Sequence, residues 1–161
     1  MKYTVVSKPG RDLTPDEVAA CTAAIDEGGA LENPTTAKQE LPHAIVVAIL
    51  HCDGNVVGVG AIKRPRPDYA KRIAGAKKSG FAFNSQMNEL GYVAILRTHR
   101  GGRSGLVLNS LLVHFNGPLW ATTSSELMKY SLANRGFERK CNEWSSQTHP
   151  EKMLSLWIKS K

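Results

Sequence analysis

Cysteine is scarce in this chain. Of 161 residues only Cys21, Cys52 and Cys141 are cysteines, and no two form a Cys-x-x-Cys pair, which argues against a zinc site. Cys21 falls in a predicted helix and Cys52 beside a predicted hairpin turn, so both are expected to be structural thiols. Cys141 lies near the end of the site inferred below. The histidines at 43, 51, 99, 114 and 149 are scattered, and none has the His-x-x-x-His spacing, so no metal site is expected. No apolar run approaches the roughly 20 residues of a membrane span. The opening Met1-Lys2-Tyr3-Thr4-Val5-Val6 lacks the long apolar stretch of a signal peptide, and a cytoplasmic protein is expected. There is no internal repeat, low-complexity segment or linker. Aromatics make up 7% of the chain. Trp120, Trp144 and Trp157 are expected to pack in the core. Acidic residues are the scarcer charge, 14 against 21 Lys and Arg.

A single domain over residues 1–161 is expected, large enough for a real core. Hydrophobic residues at 42% and charged residues at 22% are ordinary for a globular protein. The net charge of +7 and the pI near 9.5 favour anionic partners, whether phosphates, nucleic acid or acidic protein surfaces.

Periodicity and turn signals predict the order of elements. Thr4-Val5-Val6 reads as a strand. Thr14-Pro15-Asp16-Glu17 is a capping box opening a helix over 16–27, which stops at Gly28-Gly29. Residues 30–43 read as a loop that can hold a helical turn. Ala44 to Leu50 is a buried strand, Asp53-Gly54-Asn55 a hairpin turn and Val56 to Ile62 the returning strand. A short helix is expected over 68–78, then a strand from Glu89 to Leu96 and a helix from Leu106 to Phe115. Pro118 to Thr123 reads as a strand. Ser124 or Ser125 caps a helix running to Asn134, and Phe137 to Trp144 and Met153 to Lys159 close the chain as strands. The class is α/β (an α+β mixed sheet), β-α-β-β-(α)-β-α-β-α-β-β, antiparallel in its first half.

The stretch richest in chemistry is Gly91-Tyr92-Val93-Ala94-Ile95-Leu96, followed by Arg97-Thr98-His99-Arg100-Gly101-Gly102-Arg103-Ser104-Gly105. An apolar strand runs through a cationic, glycine-rich turn into an amphipathic helix. Glycines let backbone N–H groups turn inward, a helix N-terminus adds partial positive charge and arginines add full charge. This is an anion site, and a diphosphate suits it.

The element order with two motifs resembles the GCN5-related N-acetyltransferase superfamily over essentially the whole chain. Arg100-Gly101-Gly102-Arg103-Ser104-Gly105 resembles that family's pyrophosphate loop, Gln/Arg-x-x-Gly-x-Gly/Ala, with Arg103 where a glycine is usual. Asn134-Arg135-Gly136-Phe137 resembles the Gly-Phe that follows the family's last main helix, and Ala121-Thr122-Thr123 the strand before it. The resemblance implies a sheet whose fourth and fifth strands splay, acetyl-CoA as co-substrate, and transfer of its acetyl group to an amine.

On that resemblance, the amides of Gly101 to Gly105, with Ser104 among them, hold the pyrophosphate, and Arg100 and Arg103 add charge. Arg103 requires an ordinary φ for this. Pantetheine pairs with the strand edge at Val93, Ala94, Ile95 and Leu96, where an N–H of Val93 or Ala94 faces the thioester oxygen. Glu89 stands where the histone-acetylating branch has a general base, and apolar neighbours Leu90 and Tyr92 suit a raised pKa. Many members protonate the departing thiolate with a tyrosine four residues before the Gly-Phe glycine. Here Leu132 takes that place, and Tyr130, about 200° away around the helix, is the candidate acid beside Tyr92, Ser131 and water.

Lys63, Arg64, Arg66, Lys71, Arg72, Lys77 and Lys78 crowd the segment 63–78, a charge run suited to an acidic peptide or an RNA backbone, or to solvent alone. Tyr69, Phe81 and Phe83 are few for stacking on bases. Three readings follow: an N-acetyltransferase for a primary amine of a small molecule or protein, one directed at charged tRNA or other RNA, and a non-catalytic CoA- or nucleotide-binding module. Family members are often dimers, so a homodimer is a further expectation.

Overall fold

The computed structural model describes residues 1–28, 34–65, 79–84, 86–146 and 149–161, without the side chains of Pro34, Thr35 and Cys141. The helix expected over 68–78 lies outside the described residues. The chain divides into two compact units, Met1–Arg64 with Leu90–Asn116, and Pro65–Glu89 with Gly117–Lys161.

The first unit contains β1 (Tyr3–Lys8), α1 (Pro15–Gly28), α2 (Pro34–Glu40), β2 (Val46–Cys52), β3 (Asn55–Lys63), most of β4 (Asn88–Ile95) and α3 (Ser104–His114). Its strand order is β1-β2-β3-β4, with β1–β2 and β2–β3 antiparallel. Asp53 at φ 50 and Gly54 at φ 87 turn β2 into β3, the positive pair a two-residue hairpin needs. The capping box forms as expected. Thr14 Oγ1 accepts from the Glu17 amide at 3.1 Å, and Glu17 Oε1 accepts from the Thr14 amide at 2.9 Å.

Strand β2 is apolar at nearly every position because both of its faces are covered. Val47 and Ile49, with Val59, Ala61, Tyr92 and Ala94, pack with Cys21, Ala24 and Ile25 of α1 and Ala37 of α2. The alternate face receives α3. A Cβ on Gly60 would stand 2.5 Å from Val107 Cγ1 and 3.1 Å from Leu111 Cδ1, so the missing side chain is what lets the helix approach. Each fully buried Ile or Leu here contributes about 1.5–3 kcal/mol.

One expectation needs correcting. Residues 34–40 form α2 rather than loop. Pro34 suits a first helical position, but Thr35 and Thr36 are weak helix formers. The segment is helical because Ala37 and, just beyond it, Leu41 are fully buried.

The second unit contains the first residues of β4, then β5 (Leu119–Thr123), α4 (Glu126–Ala133), β6 (Glu138–Ser145) and β7 (Met153–Lys159). Its strand order is β4-β5-β7-β6. The parallel β4–β5 ladder consists of Asn88↔Leu119 and Glu89↔Trp120, while β5–β7 and β7–β6 are antiparallel. Ser125 caps α4, its Oγ accepting from the Met128 amide at 3.2 Å. Gly136 at φ 85 ends that helix, and the Phe137 amide donates to the Leu132 carbonyl at 3.1 Å. Trp120, Trp144, Leu156 and Ile158 form the core with Phe81, Phe83 and Met87 around them.

Candidate functional site

The glycine-rich turn is built entirely within the first unit. Strand β4 ends at Ile95, the Leu96 amide donates to the Val57 carbonyl at 2.8 Å, and a single 3-10 turn, Arg97–His99, redirects the chain. Gly101 and Gly102 then take φ 110 and 83. Arg103 returns to φ −73, ψ −16 as N-cap of α3. The loop's two positive φ values therefore fall on glycines, and the arginine in the usual glycine place carries no backbone strain.

Inside α3 the amides of Gly105 and Leu106 donate to Gly102 and Arg103 carbonyls, both at 3.1 Å. Among the described residues, the amides of Gly101, Gly102, Arg103 and Ser104 donate to no acceptor of the chain. No side chain caps α3 and its first turn carries no acid. Consecutive amides in a positive-φ turn at an uncapped helix N-terminus form an anion cradle. These residues fit a diphosphate.

The two arginines are not simply aimed outward. Arg100 Nε donates to the Ile95 carbonyl at 3.2 Å. Arg103 folds back: its Nη1 donates to the Arg100 carbonyl at 2.6 Å and to that of His99 at 3.3 Å, and its guanidinium lies 4.2 Å from the centre of the Tyr3 ring. The Tyr3 hydroxyl is 2.9 Å from His99 Nδ1, with the two rings edge-on. Partial burial and a bond with Cys52 raise the Tyr3 pKa, while Arg103 pulls it down. Neither the role of Tyr3 nor the folding-back of Arg103 has a local signature in the sequence, since Tyr3 comes from the far end of the chain.

On strand β4, Val93 is half-buried and Ala94 and Ile95 are buried, and Leu96, just past the strand, is half-buried. Tyr92 has φ 54, rare for a bulky residue. Its hydroxyl donates to Glu40, and the Lys63 ammonium lies 4.0 Å from its ring centre and 4.0 Å from Glu40 Oε2. Lys63 is only 6% exposed. It was expected in the surface charge run, and the structure corrects that: an internal ion pair and an aromatic face draw it inward. Arg64 Nε donates to the His43 carbonyl at 3.2 Å. Residues 66–78, the bulk of the basic run, lie outside the described residues.

The other candidates stand in the second unit. Glu89 is 5% exposed, beside Trp120 in the parallel ladder. Leu132 is 1% exposed and packs in the interior, and Tyr130 is 70% exposed, the opposite orientations their helical spacing implies. Tyr130 lines a cleft of about 490 Å³ with Glu126, Lys129, Ala133, Arg139, Glu143 and Trp157. Lys129 bridges Glu143 at 2.7 Å and Glu126 at 3.0 Å. Its bond with Glu143 raises the Lys129 pKa and lowers that of Glu143. Among the described residues no cluster of His, Cys, Asp or Glu is arranged to hold a metal ion, and no helix is long and apolar enough to cross a membrane.

No protein-family model matches the chain, and no curated protein sequence matches it. Solved structures do. An acyl-CoA N-acyltransferase from Pseudomonas aeruginosa superposes with a TM-score of 0.67 at 13% identity, over 99% of this chain and 100% of that one. A GNAT-family acetyltransferase from Streptococcus agalactiae gives 0.68 at 17% identity, over 98% and 95%. The ribosomal-protein-S18-alanine N-acetyltransferase of Escherichia coli gives 0.67 at 12% identity, over 99% and 94%. The chain has the fold of the GCN5-related N-acetyltransferases, as its element order and motifs imply.

Proposed function

We propose that this protein is an N-acetyltransferase that moves an acetyl group from acetyl-CoA to a primary amine of a small molecule or protein, by direct attack in a ternary complex. The observation that carries the reading is the loop. Among the described residues, the amides of Gly101, Gly102, Arg103 and Ser104 have no acceptor, at an uncapped helix N-terminus, in a fold whose solved examples include an acyl-CoA N-acyltransferase.

In this reading the loop and the start of α3 hold the pyrophosphate, with Arg100 adding charge. The β4 edge at Val93, Ala94 and Ile95, with Leu96 just beyond it, hydrogen-bonds pantetheine, and an N–H of Val93 or Ala94 meets the oxyanion formed when the amine nitrogen attacks the thioester carbon. Glu89 takes the proton the amine loses. The intermediate collapses with loss of CoA thiolate. Thiolates leave readily, and the proton comes from Tyr130 or from water.

Calorimetry with CoA, followed by incubation of acetyl-CoA with an amine panel read as free thiol, tests the proposal. Absence of CoA binding at millimolar concentration sinks it. Tight CoA binding without turnover on any amine points instead to a non-catalytic binding module.

A further inference from the structure

We propose that Arg103 is a positioning residue: it braces the anion loop from beneath, with Tyr3 as its platform, rather than contacting phosphate with its charge. This rests on the loop holding the diphosphate of CoA as described above.

The argument begins with peptide geometry. In a trans peptide the carbonyl of one residue and the N–H of the next point in opposite directions. Arg103 Nη1 holds the Arg100 carbonyl at 2.6 Å. The Gly101 N–H is thereby turned away from the Arg103 guanidinium. The second bond, to the His99 carbonyl at 3.3 Å, fixes the preceding peptide in the same way. Without such a tie, two successive glycines leave their peptides close to freely rotating, and ordering them opposes binding.

The guanidinium is itself held. It lies 4.2 Å from the centre of the Tyr3 ring. Tyr3 in turn meets His99 through its hydroxyl and through the edge contact of the two rings. One aromatic side chain thus links both ends of the turn, His99 before the glycines and Arg103 after them. Tyr3 is anchored by the β1–β2 ladder, where it pairs with Cys52, and the adjacent Lys2 carbonyl accepts from the Asp53 amide at 3.0 Å. A glycine at position 103 would permit the turn but supply none of these ties. The glycine freedom the loop needs is met instead at Gly101 and Gly102.

Bracing and charge predict different behaviour for the conservative variant. Arg103→Lys keeps the charge but loses the rigid guanidinium that sets one Nη1 against both carbonyls while its carbon lies over the tyrosine ring. If Arg103 braces, Arg103→Lys and Arg103→Gly both weaken CoA binding about tenfold. The slope of log Kd against log salt concentration then stays as in wild type, because no phosphate contact is lost. Tyr3→Phe keeps the stack but loses the bond to His99, and weakens binding about two- to threefold. Hydrogen exchange of the free protein gives a readout that needs no ligand: the amides of Gly105 and Leu106, which bond back to the Gly102 and Arg103 carbonyls, exchange faster in Arg103→Lys, while the melting temperature and exchange in α1 stay unchanged.

Wild-type CoA affinity in Arg103→Lys, or a shallower salt slope in Arg103→Gly alone, overturns the brace, as does unaltered exchange at Gly105 and Leu106. If the wild-type protein fails to bind CoA, the proposed function falls, and the exchange experiment still decides whether Arg103 braces the loop.

Discussion

Gly102 offers the cleanest perturbation of the loop. Its φ is 83, and a Cβ built there meets no atom within 4 Å. Alanine therefore adds backbone strain and nothing else. The left-handed region costs a non-glycine residue about 1–2 kcal/mol, and the reduced freedom of the unfolded chain returns about 0.4–1 kcal/mol. The net is about 1 kcal/mol, or about 2–4 °C in melting temperature for a chain of this size. Gly54 in the β2–β3 hairpin is a matched control, with φ 87 and equally open space. Both alanine variants carry the same strain, and they differ in where it falls. In Gly54→Ala it lowers stability and leaves CoA affinity intact. In Gly102→Ala the loop relaxes by turning its amides out of the cradle, and CoA binding weakens about tenfold, equivalent to about 1.4 kcal/mol. Calorimetric titration with CoA and thermal melts of both variants give the comparison. Equal CoA affinity in Gly102→Ala and wild type would refute the assignment of the cradle to these amides.

Three further outcomes follow from the geometry. Glu89→Gln lowers kcat at neutral pH by about 10²-fold or more with CoA affinity unchanged, once an acceptor is in hand; equal rates would remove Glu89 as base. Glu17 has a lowered pKa: partial burial works against this, but Lys8 at 2.8 Å and the Thr14 amide and hydroxyl outweigh it. Its stabilising contribution is therefore present above the unfolded carboxyl value of about 4.3 and is lost as pH falls through the folded value. Acid titration of Glu17→Gln should show a smaller loss of stability below that pH than wild type. The Cys21 pKa is pushed up to about 12, first by burial and then by Glu17, so the native protein leaves it unreactive toward thiol reagents at pH 8 and denaturant exposes it; a rapid native reaction at Cys21 would contradict its packing.

Legibility followed the range of the interactions. Features set by neighbours in sequence could be read directly: the Thr14–Glu17 capping box, the Asp53-Gly54 hairpin, the Ser125 cap and the Gly136 stop are all where local chemistry puts them. The anion loop was equally visible, because its glycines, its strand and its helix are contiguous. Failures came where a distant residue decided the outcome. The helix α2 is drawn into place by burial of Ala37 and Leu41, which its own Thr-rich sequence does not announce. Lys63 looked like the first member of a surface charge run and is instead held by Glu40 and Tyr92, 23 and 29 positions away in the chain.

Arg103 belongs to both categories, and it clarifies what a loop motif specifies. Read as a string, the hexapeptide from Arg100 to Gly105 departs from the pyrophosphate-loop pattern it resembles at the second fixed place. Read as geometry, it does not depart, because a cradle needs peptide N–H groups that turn inward and a chain that can take positive φ where they do. Gly101 and Gly102 meet that need one and two residues earlier. Position 103 is then released from glycine and takes right-handed helical angles, where any side chain is allowed. A long cation at such a place reaches the two carbonyls that precede the glycines, which glycine does not. The substitution therefore exchanges backbone freedom at one position for a side-chain tie across the loop. Its acceptance depends on Tyr3, at the opposite end of the sequence, to receive the guanidinium.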